Sequence, residues 1–411
     1  MIGKNFSSNR GAGADRILMV FIGQKYSGGS WTHINNLKTG LEKRNALIDI
    51  ISLNNLWRPL LYMFISGPAF ILQKINCGAG TVYNYKMRKI FLFLRLFFFF
   101  LFNHINAVNA EDVISCNVLF YLKKIFRYKL LFTVHGDFVN ECLSDRRLAR
   151  GTWPEKMLLR EETFAYNHAD AIVAVDTRLK QHVKGYLKSD IPVEVIFNFV
   201  DPEIFKPDAD MRRVMRKENG IDEGTVVLFC PRRLSTKCGV IYAVQAFNLF
   251  HKRFNNSMLI LVGKGVEQEN IERHIKLNDL KSSVLFLGDV SLDIMLKLYN
   301  LTDYVIIPSI MSEGMVEASS LSAIEAMACK KVVIASNVGG LKEIVIDGET
   351  GILVPQKDPE AIYEKINYLR QFPDLYQKLA ENARNHVKIN LSTNEAVGKY
   401  LRLYGIDKNR R

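Results

Sequence analysis

Short apolar runs alternate with longer amphipathic stretches along this chain. Ile17–Ile22, Leu130–Val134, Ala171–Val175, Val226–Cys230, Met258–Val262, Tyr304–Ile307 and Val332–Ala335 are nearly unbroken runs of aliphatic and aromatic residues. Runs this short and without polar alternation are the pattern of strands buried on both faces. A polar turn and a helical stripe then follow, such as Ile34, Leu37 and Leu41 after the first run. Leu321, Ile324, Met327 and Ala328 form the stripe after the Tyr304–Ile307 run. Strand, turn and helix in repetition require a parallel sheet covered by helices. Pro202 and Pro207 interrupt the repetition. The expected fold class is therefore α/β, with two Rossmann-like parallel-sheet domains facing across a cleft. The first is expected over residues 1–205 and the second over 206–385, with a helical segment at 386–411 packing back on the first.

Residues 54–110 do not follow this grammar. Just beyond them, Asp112–Cys116 reads as a strand end before a helix rich in Tyr and Lys. Leu60–Leu72 is apolar but contains Ser66, Gly67 and Pro68, and Ile90–Phe102 is apolar around Arg95. A membrane-crossing helix needs about 20 apolar residues, so neither is a good span.

Charge changes the picture here. The 411 residues carry a formal net charge of +13, which favours nucleic acid, acidic membrane surfaces or polyanionic substrates. No acidic residue lies between Asp49 and Glu111, a stretch that holds Arg58, Lys74, Lys86, Arg88, Lys89 and Arg95. A basic flank beside an aromatic run fits a helix lying on an anionic bilayer; a buried core helix is the alternative. The basic residues form no aromatic-interleaved strand face, so a nucleic-acid partner is not expected. Cys77, Cys116, Cys142, Cys230, Cys238 and Cys329 show no metal-type spacing and read as reduced and mostly buried. Residues 1–14 are polar and Gly-rich, without a secretory pattern. A cytoplasmic protein is expected, at the inner face of the cell membrane where it meets lipid.

Candidate chemistry collects at strand ends. The first run leads to Gly28-Gly29-Ser30, which permits close backbone approach of a ligand. Leu130–Val134 delivers His135-Gly136-Asp137, at the carboxyl end of a strand where functional groups of open α/β sheets sit. Val226–Cys230 leads to Arg233 and Lys237 in one basic loop, suited to a single diphosphate. Met258–Val262 ends in Gly263. Tyr304–Ile307 leads into P-S-I-M-S-E-G-M-V-E-A-S-S-L-S-A-I-E, with Glu317 in the loop and Glu325 in the helix. Ser320 and Leu321 stand at that helix start, where free N–H groups hold polar ligands. No phosphate loop of the G-x-x-x-x-G-K-[ST] kind occurs, and no Asp-x-Asp sits at a strand end. No metal is expected to be required.

The pieces E-A-S-S-L-S-A-I-E, E-A-M-A-C, V-I-A-S-N-V-G-G-L-K-E and D-G-E-T-G-I-L-V-P, with R-R-L-S-T-K-C-G, L-V-G-K-G and T-V-H-G, resemble the retaining glycosyltransferases of the GT-B class, group 1 or family 4. The resemblance implies transfer of a sugar from a UDP- or GDP-linked nucleotide-sugar to a hydroxyl of a glycan or lipid-linked acceptor, without a metal, in cell-surface polysaccharide, lipopolysaccharide or glycan assembly. It implies that Glu317 and His135 lie near the donor sugar, that Glu325 holds the ribose, and that Arg233 and Lys237 neutralise the diphosphate. Gly28 and Gly29 would lie near the phosphates and the acceptor, with Gly263, Ser320 and Leu321 in the donor-binding set. A sugar-nucleotide epimerase of the same fold and a non-catalytic sugar-nucleotide-binding protein are the alternatives. The chain departs from the family in Glu317-Ala318, where Glu-Gly is usual, which leaves Glu313-Gly314 as a rival. It also departs in Lys330, where Gly is usual.

Overall fold

The computed structural model describes residues 15–23, 28–53 and 58–406. Two six-stranded sheets carry the fold. The first contains β1 (Arg16–Phe21), β2 (Leu47–Ser52), β3 (Ala107–Ala110), β4 (Lys129–Val134), β5 (Ala171–Ala174) and β6 (Val193–Val195), in the order β2-β1-β3-β4-β5-β6. The second contains β7 (Val226–Pro231), β8 (Ser257–Val262), β9 (Val284–Phe286), β10 (Tyr304–Ile307), β11 (Val332–Ser336) and β12 (Ile352–Val354), in the order β12-β11-β10-β7-β8-β9. Every pairing in both sheets is parallel. The order reverses beside β1 in one sheet and beside β7 in the other, and ligand crevices of open α/β sheets open at such points.

The helices of the first half are α1 (Gly28–Glu42), α2 (Arg58–Leu61), α3 (Gly67–Ile75), α4 (Cys77–Phe102), α5 (Val113–Lys123), α6 (Phe138–Ser144), α7 (Trp153–Tyr166) and α8 (Thr177–Tyr186). Those of the second are α9 (Ala209–Glu218), α10 (Val240–Arg253), α11 (Gln268–Leu277), α12 (Leu292–Leu301), α13 (Leu321–Ala328), α14 (Leu341–Ile344), α15 (Pro359–Gln371), α16 (Pro373–Asn390) and α17 (Thr393–Tyr404). Side-chain caps start many of them. Asp112, Asp137, Asp176 and Asp208 each accept the N–H three residues on, a contact worth about 1 kcal/mol. The first three caps sit just past the ends of β3, β4 and β5, so the turn chemistry that starts a helix also fixes the rim of the cleft. The last helix, α17, brings Val397, Tyr400 and Tyr404 into the core shared by α1 and the first sheet.

Two segments differ from the sequence expectation. Asp112 opens a helix rather than closing a strand: its carboxylate accepts the Ser115 N–H at 2.8 Å, and β3 ends earlier, at Ala110. The apolar run that follows misled because α5 is buried almost all round, which erases its periodicity. The second segment is 58–102. Here α2, a π turn (Tyr62–Ser66), α3 and α4 form a helical hairpin, and Pro68 lies in the first turn of α3, where a missing N–H costs nothing.

The aromatic run of α4 resolves into two stripes. Leu92, Leu96 and Phe100 are buried in the first core, each worth about 1.5–3 kcal/mol on burial. Ile90, Leu94, Phe98 and Leu101 follow steps of four, four and three residues on the opposite side and are 49–59% exposed. Arg95 turns inward from this surface and donates to the Ser52 carbonyl. No described helix is long and apolar enough to cross a membrane. Lys330 has φ of +57°, a left-handed conformation that accounts for glycine being usual there.

Candidate active site

The loops after β3, β4, β7 and β10 meet the start of α1 around a cavity of about 540 Å³ between the two sheets. Strand β7 ends on Pro231, and the chain turns so that Arg232 points inward while Arg233 and Lys237 line the cavity. Glycines make this turn possible. A Cβ on Gly263 would lie 2.4 Å from the Arg232 carbonyl, and one on Gly239 would lie 2.0 Å from that of Pro308. The Lys237 carbonyl accepts the Ile310 N–H at 2.8 Å, which ties the basic loop to the chain leaving β10.

Arg232 is the best-held charge of the site. Its guanidinium lies 2.6 Å from Glu317 Oε2, 3.1 Å from Ser309 Oγ and 3.0 Å from Ser320 Oγ. Burial alone would push Glu317 toward its neutral form; Arg232, Lys237 and Arg233 outweigh it and hold the carboxyl below its ordinary value. Gly340 N–H donates to the Glu317 carbonyl at 2.9 Å, and a Cβ on Gly339 would lie 2.1 Å from that oxygen. The V-G-G turn after β11 thus pins the loop from below. Glu313 is exposed in the same loop and stands outside the cavity wall.

The first sheet supplies the opposite wall. His135 follows β4, and its Nε2 lies 2.8 Å from Glu111 Oε2. Glu141, from α6, lines the cavity; burial raises its carboxyl, and Lys237 and then Arg147 pull it back. Gly29 faces the second half directly, since a Cβ there would meet Leu321 Cδ1 at 3.9 Å. The halves are also pinned together at the loop before α13. Ser319 Oγ accepts the Asn198 N–H at 2.9 Å and donates to the Val175 carbonyl at 2.8 Å.

Of the residues singled out in the sequence, His135, Arg233, Lys237, Glu317, Gly29, Gly263 and Leu321 line one cavity. Gly28 begins α1 beside it. Ser320 precedes α13 but makes no cap; its hydroxyl accepts from Arg232 instead. Glu325 lies behind the wall, where its Oε2 takes the Tyr299 hydroxyl at 2.7 Å. Burial raises it to about 7, against the pull of that hydrogen bond. Sequence reasoning passed over Arg232, Glu111, Glu141 and Asn198. For Arg232 the signal was the doubled Arg at a strand end; for Glu111 it was a polar cluster closing an apolar strand.

Two groups of potential metal ligands converge to within 4.8 Å: His33, Glu111 and His135, and Asp137, Glu162 and His182. In the first, both His33 nitrogens are engaged, Nδ1 by Asn198 and Nε2 by Tyr400. In the second, Glu162 accepts the Phe138 and Val139 N–H groups and the Tyr166 hydroxyl.

Residues 27–204 match the family described as Glycosyltransferase Family 4, and residues 211–386 the family described as Glycosyl transferases group 1. N-acetyl-alpha-D-glucosaminyl L-malate synthase of Bacillus anthracis is 28% identical over 68% of each chain. A D-inositol 3-phosphate glycosyltransferase of Corynebacterium jeikeium is 25% identical over 88% of this chain and 87% of its own. Sucrose-phosphate synthase from Thermosynechococcus elongatus superposes with a TM-score of 0.74 at 19% identity, over 95% of this chain and 98% of that one. HepE of Anabaena, solved with UDP-glucose, superposes with a TM-score of 0.68 at 18% identity, over 94% and 99% of the chains. Two parallel sheets facing across a cleft, each half matched by its own family, identify the chain as a GT-B glycosyltransferase of the group 1 and family 4 type.

Proposed function

We propose that this enzyme is a retaining transferase that moves a sugar from a UDP- or GDP-linked donor to a hydroxyl of a glycan or lipid-linked acceptor, without a metal, in cell-surface polysaccharide or glycan assembly. The observation that carries the reading is the cluster of Arg232, Arg233 and Lys237 at the end of β7, facing His135 across the cavity. Charge develops on the leaving diphosphate, and fixed cations stabilise it more in the transition state than in the ground state. Arg233 and Lys237 take that role, since Arg232 is already spent on Glu317. With its charge matched, Glu317 faces the donor sugar as a hydrogen-bond acceptor, and the leaving phosphate oxygen assists the incoming hydroxyl. Glu325 takes the ribose once its Tyr299 contact yields. The Ser319 contacts keep the halves closed, which limits the competing attack by water. Relatives named N-acetyl-alpha-D-glucosaminyl L-malate synthase and Lipopolysaccharide 1,2-N-acetylglucosaminetransferase support transfer of a sugar. The test is a panel of UDP-, GDP- and ADP-sugars read by thermal shift and by slow release of nucleotide. One donor is expected to stabilise the protein and to be hydrolysed, with both effects lost in Glu317→Ala. Equal indifference to every donor, with membranes present and absent, would sink the reading.

The acceptor side points to a lipid surface at the cytoplasmic face of the cell membrane. Phe70, Ile71 and Ile75 of α3 are 59–80% exposed, and Phe98 and Phe102 of α4 are 59% and 83% exposed. Phe64 packs on Phe91 at 6.1 Å between ring centroids, joining the exposed sides of the π turn and α4 into one apolar surface. The chain from residue 50 to 110 carries cations and no acid, which suits anionic headgroups. Co-sedimentation with vesicles rich in anionic phospholipid is expected to fall at least tenfold in Phe98→Asp/Phe102→Asp, and also with rising salt. Undiminished sedimentation of the double variant would refute this docking face.

A further inference from the structure

Helix α7 has two working faces. Leu158, Glu162 and Ala165 are buried in the first half, and Tyr166 beside them lines the catalytic cavity. Another face borders a separate groove of about 520 Å³, within the roughly 300–1,000 Å³ of small-molecule sites. Lys156, Leu159, Arg160 and Phe164 line it from α7, and Tyr186 and Lys188 from the end of α8. Residues spaced by three and four share one side of a helix, so the α7 lining is a continuous strip. Asn167 builds the second wall. Its side-chain amide donates to the Tyr186 carbonyl at 2.9 Å, and its Oδ1 accepts the Lys188 N–H at 2.7 Å, which fastens the end of α8 against α7. No described residue lines both the groove and the catalytic cavity.

The groove is apolar inside and positive at its rim. Leu159, Phe164 and Tyr186 are half-buried, whereas Lys156, Arg160 and Lys188 are exposed. None of these three cations makes a side-chain hydrogen bond or ion pair among the described residues, and no acidic residue lines the groove. Glu161, next to Arg160, pairs instead with Lys89 of α4 at 2.7 Å. Phe164 extends the apolar floor outward, since its ring stacks on Tyr121 of α5 at 5.8 Å between centroids. Lys89 and Lys124 lie over the Tyr121 ring at 5.4 and 5.7 Å. Lys89 is followed by Ile90, the first residue of the exposed apolar stripe of α4. Groove and stripe are therefore joined through Tyr121, which is itself 42% exposed.

We propose that this groove is a binding site for one anionic phospholipid: its phosphate headgroup meets Lys156, Arg160 and Lys188, and the first part of an acyl chain lies on Leu159, Phe164 and Tyr186. The proposal rests on the reading that α3 and α4 meet a bilayer, which supplies the lipid. Charge and shape select this occupant. A free anion would leave the apolar floor uncovered, and a neutral lipid would leave three cations unmatched. The arginine fork grips two phosphate oxygens, and the lysines add point charge. A lipid-linked acceptor fits less well, because its reacting hydroxyl must enter the catalytic cavity, which no groove residue reaches. A lipid held here ties the enzyme to headgroup chemistry as well as to surface charge.

Dihexanoyl phosphatidylglycerol, kept below its critical micelle concentration, probes the groove without a membrane. Titration calorimetry with the full chain is expected to show one saturable site. Dihexanoyl phosphatidylcholine and inorganic phosphate should each bind at least tenfold more weakly. Arg160→Gln/Lys188→Gln should lower the affinity about 25-fold, since each cation near an anionic lipid is worth about fivefold. Both side chains are exposed, so the melting temperature should not move. Absence of a saturable site, equal affinity for the neutral lipid or for bare phosphate, or undiminished binding by the double variant overturns the proposal. Tighter binding of geranyl phosphate would give the groove to an isoprenyl-linked acceptor and overturn it as well. Phe98→Asp/Phe102→Asp removes the docking face and should keep the natural affinity for the soluble lipid. A failure of the membrane reading therefore shows in the vesicle assay alone, and a failure of the groove shows in the calorimetry.

Discussion

Arg232→Met is expected to lower the unfolding free energy by about 3–5 kcal/mol, because it strands a buried carboxylate. Arg232 is 8% exposed and Glu317 shares its enclosure. The guanidinium also satisfies the Ser309 and Ser320 hydroxyls, so its loss leaves more than one polar group unpaired. The double variant Arg232→Met/Glu317→Leu removes both charges and should recover most of the stability, since apolar replacement of a whole buried pair is often neutral. It should recover no activity, because the loop would then present no acceptor to the sugar. Urea denaturation of the single and double variants measures the first effect, and transfer assays measure the second. A single variant as stable as the natural protein would mean that Glu317 finds another cation, Lys237 being the nearest candidate. The same pair sets an acid limit. Glu317 is depressed below 4.5 in the folded protein. Its contribution is therefore present above its unfolded value and is lost as the pH falls through the lower folded one.

What the sequence made legible was set by how local each signal is. The alternation of buried runs and helices disclosed both sheets, because a strand covered on both faces has no polar positions to hide it. The strand-end residues His135 and Arg233 were legible for the same reason, since a short loop after a buried run has one direction to point, and Glu317 was legible from its spacing to Glu325. Arg232 was not, since only the turn beyond Pro231 decides which of two adjacent arginines faces inward. The Arg232–Glu317 contact spans 85 positions in sequence. Glu111 was hidden because β3 is only four residues long and its partner arrives on another strand. The aromatic run of α4 looked uniform in sequence because one stripe packs inward and the opposite one outward. Only the packing against α5 and α7 separates the two.

Removing the cations that remain free is expected to act on rate rather than on fold. Arg233→Ala and Lys237→Ala should each lower kcat by about 10²–10³-fold, the usual cost of deleting one charge-stabilising donor. Both side chains lie at the cavity surface, and neither donates a hydrogen bond to the described residues. Melting temperatures should therefore stay close to that of the natural protein, in contrast to Arg232→Met. The double variant should fall by less than the product of the two single losses, because both groups act on one diphosphate. Lys237→Ala carries a second consequence: Glu141 loses the stronger of the cations that hold its carboxyl down, so its titration should move further upward. Arg233→Lys separates two ways of stabilising the leaving group. A lysine keeps the charge but not the planar fork that grips two oxygens. Weak recovery in that variant would mean that Arg233 acts by directed hydrogen bonds, whereas full recovery would mean that the cavity needs only positive charge at that point.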